Sequence, residues 1–301
     1  MKRSLAAMLS LVPFLAALSG PSCSPKPPAG AGPKGHLFIV GGGDRDEPLM
    51  RRYVELADAS SGGRIVIFTM ASGVPLEVGP ELVAEFRGYG VKDVAFFQLT
   101  REEALRPESA ALLDGAAAVW FSGGDQSRLT AVLLDTPLHA RLLEFYAAGG
   151  LVGGTSAGAA VMSEVMITGD TTRPVEEGRE WSTIEAGLVV HARGLGFVKN
   201  AVLDQHFLAR RRQNRLVSLV LEKPDLVGAG IDEATAILVR PDGKWEVLGA
   251  SQVFVVDARG ARILKDSADR LGASGLALHL LLAGDVYDPA SGLVTAREER
   301  P

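Results

Sequence analysis

Between His36 and Ser156 the chain repeats one pattern: a short apolar run, a turn of small residues, then a stretch of helical length. Leu37-Phe38-Ile39-Val40 ends in Gly41-Gly42-Gly43, and Arg64-Ile65-Val66-Ile67-Phe68 ends in Thr69-Met70-Ala71-Ser72-Gly73. Val94-Ala95-Phe96-Phe97 follows an amphipathic stretch around Leu82 to Tyr89. Ala116–Phe121 ends in Ser122-Gly123-Gly124-Asp125, and Leu151-Val152-Gly153-Gly154 leads straight into Thr155-Ser156. Continuous apolar runs of this length suit strands buried on both faces. Segments such as Glu47–Ala59 and Pro137–Ala148 supply helices between them. Strand and helix alternating in this way predict a mostly parallel sheet with helices on both sides. Such sheets bind ligands beyond the carboxyl ends of their strands, so the chemistry is expected in the loops that follow the runs.

The second half is more mixed. Ala201-Val202-Leu203 runs into Asp204-Gln205-His206-Phe207, with a basic helix expected next, and Leu226–Ile231 runs into Asp232-Glu233-Ala234-Thr235. Ala236–Val239, Trp245–Leu248 and Val253–Asp257 have the pattern of antiparallel strands, with Pro241-Asp242-Gly243-Lys244 as a hairpin turn. No internal period appears, which excludes a solenoid. With 301 residues, 47% of them hydrophobic, the chain can bury a large α/β core. The reading is a single domain over 36–290, followed by a tail at 291–301.

The N-terminus has the proportions of a signal peptide over residues 1–22: Lys2-Arg3, an apolar stretch from Leu5 to Leu18, then small residues. Cys23, the sole cysteine, follows at once and resembles the lipid-attachment cysteine of bacterial lipoproteins; an incidental cysteine after an ordinary signal is the alternative. Either way export is expected, freely secreted or lipid-anchored in the cell envelope. Residues 23–35, rich in Pro, Gly and Lys, read as a flexible linker. A sole cysteine also leaves no intramolecular disulfide, so the fold must stand on its core. Losing residues 1–22 removes Lys2 and Arg3 and no acid, taking the formal charge from −5 to −7. An acidic chain of this kind is a poor nucleic-acid binder, which would need cations to neutralise phosphates.

Gly154-Thr155-Ser156-Ala157-Gly158 has the Gly-x-Ser-x-Gly form of a nucleophile elbow. A sharp strand-to-helix turn holds the serine in a strained conformation, and the flanking glycines make room for the neighbouring backbone. An apolar strand precedes it and an Ala-rich run, Ala159-Ala160-Val161-Met162, follows. A serine hydroxyl needs a base. Of His36, His139, His191, His206 and His279, only His206 sits at an expected strand end, beside Asp204 and Gln205. Gly41-Gly42-Gly43-Asp44 lacks dinucleotide-site spacing and any Walker lysine, so it reads as a tight loop at the pocket rim. The scattered histidines give no metal-ligand spacing, and no metal or other cofactor is expected.

Together, Ser156 in GGTSAGAAVMS, FSGGDQSRLT (Phe121–Thr130), DQHFLARRRQNR (Asp204–Arg215) and GIDEATAI (Gly230–Ile237) resemble the cyanophycinases, in the serine peptidase family that includes aspartyl dipeptidase. The resemblance spans roughly Leu37 to Asp257. It implies a flavodoxin-like α/β fold related to glutamine amidotransferases, action without a metal, and dimers. The implied reaction is hydrolysis of cyanophycin, a poly-aspartate whose β-carboxylates carry arginine, to β-Asp-Arg dipeptides. Carried over by residue, Ser156 would be nucleophile and His206 general base, with an oxyanion hole from the N–H groups of Gly124 and Ala157. Gln126, Asp204, Gln205, Arg210, Arg212 and Arg215 would bind substrate. Arginines suit the substrate's carboxylates, and Asp or Gln its guanidinium groups; the bland alternative for the arginines is a solvated helix face. The triad acid has several candidates. Asp170, fourteen residues after Ser156, matches the related dipeptidase best; Glu233 lies at another expected strand end; Glu176 and Glu177 lie in the loop Thr171–Gly187, which is longer than the family's usual one. Other readings are an aspartyl dipeptidase acting on short peptides and a non-catalytic envelope protein that binds Asp- or Arg-rich peptides.

Overall fold

The computed structural model describes residues 32–59, 62–176 and 178–296. The segment 1–22 expected to be a signal peptide, Cys23 and Glu177 lie outside the described residues. The five apolar runs form β1 (His36–Val40), β2 (Arg64–Phe68), β3 (Val94–Phe97), β4 (Ala116–Phe121) and β5 (Leu151–Thr155). They lie parallel in the order β3-β2-β4-β5-β1. The first four reproduce the 2-1-3-4 order of a flavodoxin-like sheet, with β1, first in the chain, in fifth place.

Burial on both faces explains the unbroken apolar runs. Phe38 and Val40 of β1 enter a core with Met50, Tyr53 and Trp120, while Leu37 and Ile39 enter the opposite one with Val66, Phe121 and Val152. Helices α1 (Glu47–Leu56) and α2 (Pro75–Gly88) close the first core. After the single turn α3 (Arg101–Ala104), α4 (Gln126–Leu133) and α5 (Pro137–Ala148) close the second. Their starts follow from local chemistry. Asp46 accepts the Leu49 N–H at 3.0 Å before α1 and Thr136 the His139 N–H at 3.1 Å before α5, each with proline in the first turn. Caps of this kind contribute about 1 kcal/mol. The linker is not free to its end: Lys34 and Gly35 donate N–H bonds to the Ala147 and Tyr146 carbonyls of α5.

After β5 comes α6 (Ala157–Ala160), one turn rather than the longer helix the alanines suggest. Then follow a hairpin of β6 (Val165–Thr171) and β7 (Val189–Arg193), β8 (Ala201–Gln205), α7 (Gln213–Glu222) and β9 (Val227–Ile231). Strands β8 and β9 are parallel, but they belong to a second sheet. β10 (Thr235–Val239) and β11 (Trp245–Gly249) return to the first, antiparallel beside β1. β12 (Val253–Asp257) joins the second sheet against β9. The expected antiparallel strands are thus present but divided between two sheets. A ribbon of β13 (Arg262–Lys265) and β14 (Leu271–Ser274) follows, then β15 (Ala277–Leu281) on the edge of the second sheet. β16 (Val286–Asp288) and β17 (Leu293–Thr295) complete the first. The tail expected from residue 291 therefore begins too early, because Leu293–Thr295 still makes ladder hydrogen bonds.

Candidate active site

Ser156 stands between β5 and α6 with φ +55° and ψ −112°, a conformation costly for a residue with a side chain. Its N–H donates to the Val40 carbonyl at the end of β1, which fixes the turn to the sheet. The glycines on either side are required by close approach. A Cβ on Gly154 would lie 2.6 Å from the Gly158 carbonyl oxygen, and one on Gly158 would lie 2.4 Å from that of Phe121. The segment after the elbow is tied to the second sheet, where Ser163 Oγ accepts the Leu203 N–H of β8 at 3.0 Å.

Register brings the partners in. β8 and β9 end together, with Gln205 opposite Ile231, so the residues just beyond them, His206 and Asp232, emerge side by side. β10 then pairs with β1, Ala236 opposite Val40, so residues 232–234 cross from one sheet to the other at the elbow's end of β1. There His206 Nε2 lies 3.0 Å from Ser156 Oγ, and His206 Nδ1 lies 2.5 Å from Glu233 Oε1. The serine, histidine and glutamate form one hydrogen-bonded line. Gln205 Oε1 also faces the Ser156 hydroxyl, at 3.4 Å.

The carboxylate hydrogen-bonded to the histidine is thus that of Glu233 and not that of Asp170. A single ring nitrogen carries one hydrogen, and Glu233 occupies it. Asp170 is exposed on β6, its N–H bonded to Thr168 Oγ1. Glu176 is exposed too and pairs with Arg179 at 3.3 Å.

Burial lowers the His206 pKa below the ordinary 6.5. The bond to Glu233 opposes that fall, and the charges of Arg210 and Arg212 add to it. The imidazole is therefore neutral at pH 7, able to accept a proton from Ser156 while Glu233 holds Nδ1–H. Gly123 follows β4 on the serine's other side, its Cβ position 3.5 Å from Ser156 Cβ, while Gly124, with φ +136°, lies against the Ala71 carbonyl.

The residues expected to bind substrate divide into two groups. Arg210 is exposed; Arg212 is mostly buried, with Nη1 on the Gln205 carbonyl at 2.7 Å and a pKa lowered to about 10 by burial and by Arg215. Arg215 and Asp204 are instead closed on each other, Nε to Oδ2 at 2.7 Å and Nη2 to Oδ1 at 2.5 Å, both buried. Trp181, from the long loop, covers the Arg215 guanidinium at 5.3 Å. Gln126 is buried as well, and its amide N–H groups donate to the Ile167 and Thr168 carbonyls of β6 at 2.8 Å each. Asp204, Arg215 and the Gln126 amide hydrogens therefore have their hydrogen-bond partners within the protein.

Residues 86–247, more than half of the chain, match the model described as peptidase family S51. Curated cyanophycinases from Synechococcus elongatus and Trichormus variabilis are each 34% identical to it, over 86% and 83% of this chain and 80% and 84% of theirs. The chain belongs to peptidase family S51. It is a serine-type peptidase. The crystal structure of a peptidase from an acI-B1 Actinobacterium has the same fold, with a TM-score of 0.61 over 84% of this chain and 96% of that one at 24% identity.

The stretch matched to the S51 model begins after one part of the site. A Cβ on Gly42, whose φ is +110°, would fall 2.4 Å from His206 Cε1, and one on Gly43 would fall 2.7 Å from Glu233 Cβ. The loop after β1 is thus the wall against which the histidine and glutamate stack. The Gly41 carbonyl accepts the His206 N–H at 2.7 Å and the Gly42 carbonyl the Ala234 N–H at 3.0 Å. The three consecutive glycines were legible as a tight loop at the rim; their contact with His206 and Glu233 was not. Of the other histidines, His139 is buried in α5 with Nε2 on the Leu195 carbonyl, and His191 is exposed on β7.

Proposed function

We propose that this S51 peptidase hydrolyses cyanophycin to β-Asp-Arg dipeptides as an exported exopeptidase, with Ser156 as nucleophile, His206 as general base and Glu233 as the acid that orients it. The observation that carries the reading is the Ser156–His206–Glu233 hydrogen-bonded line in a chain 34% identical to cyanophycinases over most of its length. His206 takes the Ser156 proton as Oγ attacks a backbone amide carbonyl of the aspartate chain. The N–H groups of Gly124 and Ala157 hold the oxyanion. His206 then protonates the leaving amine, and water, activated by the same imidazole, releases the acyl group and frees Ser156. Arg210, with Arg212 behind it, meets substrate carboxylates, and the Gln205 oxygen meets a guanidinium group. Export by the 1–22 segment, a lipid on Cys23 and assembly as a homodimer belong to the same proposal. They suit an enzyme that digests polymer released by other cells.

Purified protein incubated with insoluble cyanophycin should release β-Asp-Arg, read by mass spectrometry, and Ser156→Ala should lower the rate by about 10⁴-fold or more. Undiminished release by Ser156→Ala would sink the mechanism. Activity on α-aspartyl dipeptides with none on polymer would transfer the reading to an aspartyl dipeptidase.

A further inference from the structure

Asp232 is buried, and it lies outside the serine–histidine–glutamate line. Its carboxylate nonetheless touches the turn that carries the base and is braced from the segment that holds the acid. Oδ1 accepts the N–H groups of Leu208 and Ala209, each at 3.0 Å, just beyond His206. Oδ2 accepts the Ser251 hydroxyl at 2.7 Å. The Ser251 N–H in turn donates to Thr235 Oγ1 at 2.8 Å, and that hydroxyl donates to the Glu233 carbonyl at 3.1 Å. A chain of side-chain bonds thus runs from the His206 turn, through Asp232, to the backbone of Glu233.

Both turns need such restraint. His206 has φ +47° and Ala234 φ +53°, left-handed conformations that neither residue type prefers and that the surroundings must impose. The 2.5 Å contact between His206 and Glu233 leaves little latitude, because displacements near 1 Å at a reacting constellation are enough to cost roughly 10²-fold in rate. A carboxylate side chain, with an acceptor at each oxygen, can take all three donors at once.

We infer that Asp232 is a positioning residue that sets the register of the His206 turn against the Glu233 turn. It acts through that pair rather than on the bond being cleaved. The inference rests on the reading of Ser156, His206 and Glu233 as the acting groups. Two readouts on the full-length protein test it: steady-state release of dipeptide from soluble cyanophycin, and the rate at which an organophosphorus fluoride labels Ser156, which needs an activated serine but no peptide.

Asp232→Ala should lower kcat and the labelling rate by about 10- to 100-fold with KM within about twofold of wild type. Asp232→Asn, which keeps an acceptor for Leu208 and Ala209, should restore most of both. In a Glu233→Gln background Asp232→Ala should cost less than about threefold, since the two changes disable the same pair. Ser251→Ala removes only the brace on Oδ2 and should cost about 3- to 10-fold; it carries the test if Asp232→Ala does not fold. Wild-type labelling rates in the folded variants, or an equal loss in the Glu233→Gln background, overturn the inference. A wild-type protein that neither labels nor releases dipeptide sinks the underlying reading and the inference with it.

Discussion

Strand β8 feeds two polar constellations built to opposite ends. Ser156, His206 and Glu233 meet from three strand ends, and the Glu233 side chain is 39% exposed. Asp204 and Arg215 meet from one strand and the helix after it, at 1% and 3% exposure, under Trp181. The first arrangement holds a neutral, buried imidazole between a hydroxyl and a carboxylate that reaches solvent. The second neutralises two charges and anchors α7 to β8. Neighbouring residues of one motif thus divide between reaction and architecture, and the face of the strand decides which. Val202 packs with α7 and Leu203 with the main core, so the period of two sends Asp204 toward α7 and Gln205 toward Ser156.

The contrast is broken most directly at the acids. Glu233→Gln should lower kcat by about 10²- to 10⁴-fold, because an amide can present the wrong partner to Nδ1 and cannot stabilise the imidazolium. Asp170→Asn should stay within about twofold, as expected for an exposed side chain with no part in the line. Both are read from dipeptide release at saturating substrate. A larger loss at Asp170 than at Glu233 would reverse the assignment.

The arginines come next, through stability rather than rate. Arg215→Ala leaves the buried Asp204 with only the more distant Arg212, at 3.9 Å, for a cationic partner and should cost about 3 kcal/mol in urea unfolding. Arg210→Ala removes an exposed side chain and should change stability by about 0.5 kcal/mol or less while raising KM. If Arg215→Ala instead raised KM at unchanged stability, the guanidinium would belong to the pocket after all.

This division explains how much of the site was legible in sequence. The elbow was, because its glycines, its preceding strand and its serine are contiguous and the steric demand is local. His206 was, because a strand end can be read from an apolar run. The acid was not, since choosing Glu233 over Asp170 requires knowing that residues 232–234 cross between two sheets, and nothing local to Gly230–Ile237 says that β9 and β10 part company. The parallel half of the fold was legible for the same reason as the elbow. Its strands are buried on both faces and stand out as unbroken apolar runs. Strands buried on one face or over part of their length, such as β6 and β7, and the exposed β14 carry no such signal. Burial of Asp204 with Arg215 was open to inference from the period of β8, although the motif as a whole suggests a pocket.

The smallest effect tests the electrostatics of the serine–histidine–glutamate line. With the His206 pKa lowered by burial and by nearby arginines, kcat/KM should rise with pH along a limb centred below 6.5, as the imidazole loses its proton and becomes a base. The same shift enters stability with a definite sign. The unfolded histidine binds a proton near pH 6.5 and the folded one only at lower pH, so this contribution is present above 6.5 and is lost as pH falls through the folded value. Arg210→Gln removes one of the charges that disfavour the imidazolium, so the limb should move upward. Because Arg210 is exposed, the move should be small and should fade as salt is raised. The normalised rate of Ser156 labelling against pH, at low and high ionic strength, reads the shift apart from any change in substrate binding. An upward move at low salt that disappears at high salt ties the base to its arginine neighbours. A limb unmoved at low salt would leave burial alone as the cause of the lowered pKa, and the arginines would then act on the substrate only.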